Sequence, residues 1–173
     1  EQKVPRPPAD WPTTLQKMVR RVPPPLADLD RLVAQLRRAR RPVLVMGPMV
    51  RESRRAQAVH SFVHRMQIPV VTTLSDIGAF PNHEELYLGT IGMAGHPSAH
   101  RYINEEADLI IVVGTNLELI FRAPIDAALE RCPTIFVDDD PSLAMRTFKT
   151  ASPVIGDVEW TFRALLDGPL RGM

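Results

Sequence analysis

The chain predicts an α/β fold: a doubly wound, about six-stranded parallel sheet of Rossmann-like type with helices on both faces. Three observations carry that expectation. The segments Val43–Met46, Ile68–Val71 and Leu109–Val113 are apolar throughout rather than alternating, which marks strands buried on both faces. Segments of helical period stand between them, and strands alternating with helices pair in parallel. The strand ends open into Gly47-Pro48, Thr72-Thr73-Leu74 and Gly114, positions suited to the crevice outside the carboxyl ends of such a sheet.

Taken in order, residues 1–27 read as a Pro-rich interdomain linker and 28–173 as the domain. Seven of the 17 prolines fall in the first 25 residues, where they forbid regular ladders. Trp11, Leu15 and Met18 would pin parts of this linker to a neighbouring surface. Asp28 is placed as the N-cap of a first helix with Leu29, Leu32, Val33 and Leu36 on its buried face, ending near Arg40 because Pro42 follows. A second helix presents Val59, Phe62, Val63 and Met66. Leu86–Leu88 reads as a short strand and Pro97–Glu105 as a helix with proline in its first turn. Pro124–Arg131 reads as helix, Thr134–Val137 as strand, and Val154-Ile155 as a last short strand. Asp157 caps a final helix carrying Val158, Phe162, Leu165 and Leu166. At its Glu1 start the chain shows neither an initiator Met nor a signal peptide, so it reads as a piece of a longer protein.

A net charge of +1, with 45% hydrophobic and 24% charged residues, fits an ordinary globular domain and gives no reason to expect nucleic acid. The arginines of 37–41, with Arg51, Arg54 and Arg55, read as solvated helix ends. One cysteine, Cys132, excludes an internal disulfide and a cysteine-based zinc site, and a reducing cytoplasm fits. No apolar run approaches the roughly 20 residues that span a bilayer.

Four strand ends carry the candidate chemistry. Gly47-Pro48-Met49 is a poor phosphate cradle, because a dinucleotide fingerprint needs further glycines and Pro48 removes a donor. The hydroxyls of Thr72 and Thr73 either meet a ribose or diphosphate or satisfy local backbone groups. Gly92-Met93-Ala94-Gly95 either lets a flat ligand approach the backbone or turns the chain, with the amides after Pro97 free for a phosphate. In Asp138-Asp139-Asp140-Pro141, Asp140 suits an N-cap, leaving Asp138 or Asp139 for ribose hydroxyls. His60 and His64 share a helix face at metal-ligand spacing, as do His96 and His100, but no acidic partner in the sequence completes a site. Without a GxSxG motif or an activated nucleophile, the chain carries no catalytic residue of its own and no metal site.

Read together, ARRPVLVMGP, MQIPVVTTLSDIGAFPNHEELYLGTIGMAG, EADLIIVVGTN, FVDDDP and VIGD resemble, in order, the central domain of thiamine-diphosphate (ThDP) enzymes of the acetolactate synthase and benzoylformate decarboxylase group. The resemblance runs from about Asp28 to Leu166. It implies a central domain from a 2-oxo acid decarboxylase or carboligase. The flanking ThDP-binding domains would supply the activating glutamate and the GDG motif that holds ThDP and Mg2+; GDG is absent from this sequence. It also implies a homo-oligomer, dimer or tetramer, located in the cytoplasm, with no nucleic acid or membrane partner.

In that family some central domains bind FAD, one kind binds ADP and others bind neither. Matching the flavin pattern implies Thr72, Leu74, Gly92, Met93, Gly114 and Asp139 as cofactor-binding positions. Gly47-Pro48 in place of a glycine-rich turn, Ala94 in place of His and Asn116 in place of Arg depart from that pattern. The lost arginine would have made a charge-assisted contact to a diphosphate, and Arg122 stands nearby to substitute. Two other readings compete: a self-standing nucleotide-binding or regulatory module, and a sirtuin-like deacylase, which a single cysteine and Gly47-Pro48 speak against.

Overall fold

The structure, a computed structural model of the chain, describes residues 22–51, 53–140 and 151–170. Six strands lie in one sheet: β1 (Pro42–Met46), β2 (Val70–Thr73), β3 (Tyr87–Ile91), β4 (Leu109–Val113), β5 (Thr134–Asp138) and β6 (Ala151–Ile155). Their order is β3-β2-β1-β4-β5-β6 and every pairing is parallel. This is a Rossmann-like α/β fold. The order reverses direction between β1 and β4, which is where such sheets open their ligand crevice.

Alternate residues of the apolar strands face opposite helix layers. Leu44, Met46, Val70, Ile111, Val113, Ile135 and Val137 pack under α1 (Leu26–Arg38), α2 (Ser53–Met66) and α6 (Val158–Asp167). Phe62 of α2 meets Phe162 of α6 edge-on, ring centres 4.9 Å apart. Val43, Val45, Val71, Ile110, Val112 and Phe136 face the other layer. That layer holds α3 (Pro97–Arg101) with its π-turn extension Tyr102–Glu106, α4 (Leu119–Arg122), the 3-10 turn Ala123–Ile125 and α5 (Asp126–Arg131).

Several boundaries differ from the sequence expectation. The first helix begins at Leu26 behind Pro25, so Asp28 lies in its first turn, where it pairs with Arg31 rather than capping. β3 runs on to Ile91 and takes Gly89 and Thr90 into the ladder, because Val71, Thr72 and Thr73 offer them partners past a bulge at Val70/Val71. The helix after Pro97 widens into a π turn at Tyr102. β6 is longer than its two apolar residues and contains Pro153, which the outermost strand tolerates because one side needs no donor. Asp157 does cap α6, accepting from the Trp160 amide at 3.0 Å, while its own amide donates to Val22 at 2.8 Å. The proposed anchors Trp11, Leu15 and Met18, and the helix start expected at Pro141, lie outside the described residues.

Candidate functional site

The turns that follow β1 and β4 meet at the switch point. A Cβ on Gly47 would stand 2.3 Å from Thr115 Cβ and 2.5 Å from the Gly114 carbonyl oxygen. Gly47 is therefore a close-packing residue between two strand ends. Gly114 takes φ +64 and lies against Met49 and Val50, and its carbonyl accepts from the Met49 amide at 3.1 Å. Beyond this contact a cleft of about 260 Å³ opens between Pro48, Met49, Ser75, Thr115, Glu118 and Phe121. Leu117, at its edge, adopts φ 45, a conformation strained for a side chain other than glycine. It is held there by its buried side chain and by an amide bond to Thr115 Oγ1 at 3.2 Å.

The six positions expected to bind a cofactor are distributed along this carboxyl edge. Gly92 (φ +124) abuts Leu74, Phe121 and the Ile120 carbonyl, which accepts from the Met93 amide at 3.0 Å. The fold thus brings Leu74, Gly92 and Met93 together with the α4 segment, and Met93 is 71% exposed. Gly114 lines the cleft itself, which Leu74, Gly92 and Met93 do not. Thr72 is buried in β2, its hydroxyl 2.9 Å from the Tyr87 phenol. Asp139 stands at the end of β5, its carboxylate 2.7 Å from Arg55. The amide after Pro97 is occupied as well: Ser98 N donates to His96 Nδ1 at 3.3 Å.

Charges along the edge are paired among themselves. Arg51 holds the buried Asp76 at 2.6 Å, and Arg122 holds Asp126 at 3.1 Å. Arg55 is only 6% exposed, so the reading of this arginine as a solvated helix end is corrected. It reaches Asp139, the Met49 carbonyl at 3.3 Å and Asp157 at 3.7 Å, tying β1, β5 and α6 together. Its surroundings are carboxylates on distant segments, so helix periodicity alone gave no sign of this burial. Next to it, Asp138 is pushed up to about 6, first by burial and then by the neighbouring Asp139 carboxylate, against a stabilising bond from the Asp140 amide. That bond is 2.9 Å long.

A second cluster lies at the opposite edge of the sheet, where α2 ends and β3 begins. Glu84, in the connection before β3, comes within 3.1 Å of His60 Nε2 and 2.8 Å of His64 Nε2. The acidic partner that the sequence lacked for these histidines is thus supplied from a residue 20 positions downstream of His64. His96 and His100 gain no such partner: His96 is bonded to Ser98, and His100 Nε2 accepts from the Gly92 amide at 3.3 Å.

A parallel sheet of this order defines the class of Rossmann-like α/β domains, and the comparisons with known proteins specify the family. The chain belongs to the family described as thiamine pyrophosphate enzyme, central domain, whose model matches residues 29–165. It is 30% identical to acetolactate synthase 1 of Zea mays over 164 residues, covering 92% of this chain and 25% of that protein. It is 28% identical to the acetolactate synthase large subunit of Corynebacterium glutamicum over 83% of this chain and 23% of that one. A solved chain from Mycobacterium smegmatis, described as a thiamin diphosphate-dependent enzyme, superposes with a TM-score of 0.69 at 27% identity, covering 85% of this chain and 28% of its own. The chain thus spans about a quarter of the length of the curated relatives it matches. Among the described residues no helix is long and apolar enough to cross a membrane.

Proposed function

We propose that this chain is the scaffolding central domain of a ThDP-dependent decarboxylase or carboligase acting on 2-oxo acids, as acetolactate synthase-like proteins do. ThDP and Mg2+ are held by the flanking ThDP-binding domains, and this domain fixes their placement in a cytoplasmic homo-oligomer, a dimer or tetramer. The observation that carries the scaffolding role is the pairing of charges along the crevice. Arg51 with Asp76, Arg55 with Asp139 and Arg122 with Asp126 are already neutralised within the domain. A nucleotide diphosphate would have to compete with these carboxylates for the same guanidinium groups. The test is consumption of a 2-oxo acid such as pyruvate by the intact protein, with and without ThDP and Mg2+. Turnover that requires both is expected; none under any condition removes the proposal.

A second reading, FAD or ADP in the crevice, is favoured by one feature. Gly92 and Gly114 both adopt positive φ beside an exposed apolar rim of Met49, Ile77, Met93, Leu119 and Ile120, a surface a flat ring could cover. On this reading Leu74, Gly92, Met93 and Gly114 line the ligand, Asp139 meets its ribose and Thr72 braces the strand beneath. A visible spectrum of the purified protein and a titration with ADP decide it. Stoichiometric flavin absorbance or tight ADP binding replaces the scaffolding role with this one. Nucleotide binding without any ThDP-dependent turnover would instead favour a self-standing nucleotide-binding or regulatory module.

A further inference from the structure

The geometry points to a divalent transition-metal site formed by His60, His64 and Glu84, at the sheet edge away from the crevice and independent of how that crevice is used. His60 and His64 are one helical turn apart on α2, which places both imidazoles on one face. Their Nε2 atoms are 3.2 Å apart, and each faces a different oxygen of Glu84, at 3.1 and 2.8 Å. Three ligand atoms on a tetrahedral ion, each about 2.0–2.1 Å from the centre, stand about 3.3 Å from one another. The observed separations, which run through both Glu84 oxygens, are close to that length, and one ligand atom from each residue lies within 4.8 Å of the others.

With Glu84 ionised, hydrogen bonding leaves one contact of the cluster unmatched. An imidazole nitrogen offers either one hydrogen or one lone pair. Here each Nε2 faces two partners at hydrogen-bond distance, so protons on both nitrogens satisfy Glu84 but set two donors against each other. A cation satisfies all three groups at once, using one lone pair from each.

The cluster is also held in place. Glu84 lies between two turn bonds, its amide donating to Pro81 at 3.2 Å and its carbonyl accepting from Tyr87 at 3.0 Å. The buried ring of Phe80 backs both imidazoles, 5.3 Å from His60 and 6.3 Å from His64 by ring centres. On the open side a cavity of about 350 Å³ lined by His64, His83, Glu84 and Glu85 gives an ion an entry path and water for a fourth position. Two imidazoles and one carboxylate select a borderline ion, zinc foremost, over magnesium or calcium. Bound there, zinc staples the 74–86 connection to α2.

The experiment uses the intact protein, free of any affinity tag, with Co2+ as a visible probe and Zn2+ as competitor. One Co2+ per chain with tetrahedral d–d absorbance, displaced by Zn2+, is expected. His60→Gln, His64→Gln and Glu84→Gln should each weaken binding at least about tenfold, with circular dichroism confirming the fold. His96→Gln, which alters the other histidine pair of the same spacing, should leave it unchanged. Should any variant misfold, diethylpyrocarbonate footprinting of the unaltered protein serves instead: Zn2+ must protect His60 and His64. Affinity unchanged across the three variants, or no protection of these two histidines by Zn2+, overturns the site.

Discussion

At Gly47 a methyl group would lie 2.3 Å from Thr115 Cβ, closer than van der Waals contact allows, and the neighbours are backbone and a β-branched side chain that cannot swing away. Gly47→Ala should therefore lower unfolding stability by more than about 2 kcal/mol, read as a shifted urea midpoint. It should do so whether or not nucleotide is added, because the residue's task is packing. Asp138 gives a pH signature. Its carboxyl is raised from 3.8 to about 6, chiefly by burial, so between those values the folded state keeps a proton that the unfolded state has lost. Stability from this group must then fall as pH rises through that window and level off above it. Asp138→Asn keeps the acceptor for the Asp140 amide and removes the buried charge. It should flatten the slope and stabilise the protein at pH 7 by on the order of 1–2 kcal/mol after allowance for solvent screening, as urea titrations across pH 4–7 would show.

α2 is the element on which most of the tertiary structure converges. Its first turn sends Arg55 to Asp139 and Asp157, and its second half sends Phe62 to Phe162 while holding His60 and His64 against Glu84. Arg55→Met would remove this guanidinium from the buried Asp157 and the exposed Asp139, a loss of about 2–3 kcal/mol. Phe62→Ala would open a cavity between α2 and α6 at a cost of about 3–5 kcal/mol. Thermal melts should separate the two. The Phe62 variant should open a void between α2 and α6 that a larger apolar side chain at Phe162 cannot refill, whereas Arg55→Lys should recover part of the loss at Arg55 by restoring the cation.

Among the described residues, five of the eight exposed large apolar side chains lie on the segments after the strands: Met49, Ile77, Met93, Leu119 and Ile120 follow β1, β2, β3 and β4, while Val22, Leu26 and Trp160 lie elsewhere. Apolar side chains collected at these strand ends call for cover, and under the proposed function the flanking domains would supply it. Leu119→Asp should then speed limited proteolysis between the domains of the intact protein while leaving the melting of this domain near its original temperature, since Leu119 is 64% exposed and adds little to the core. Protection unchanged from the parent protein would remove the flanking domains from this edge.

The sequence by itself determined the architecture. Apolar runs such as Leu109–Val113 and the helical periods between them are local signals, and burial on both faces leaves a parallel sheet as the arrangement that satisfies them. The family resemblance rested on the same strand ends and was legible for the same reason. Tertiary structure alone decided which partner each polar group has. Arg55 and Asp139 are 84 positions apart and Glu84 lies 24 from His60, so neither pairing leaves a mark in local periodicity. Likewise the sequence marks Gly47-Pro48-Met49 as a poor phosphate cradle without saying what Gly47 does instead, and only the end of β4 pressing against it decides its packing role. Periodicity reports which side of an element is apolar; only the crossing of distant segments decides which charges are neutralised and which three side chains meet.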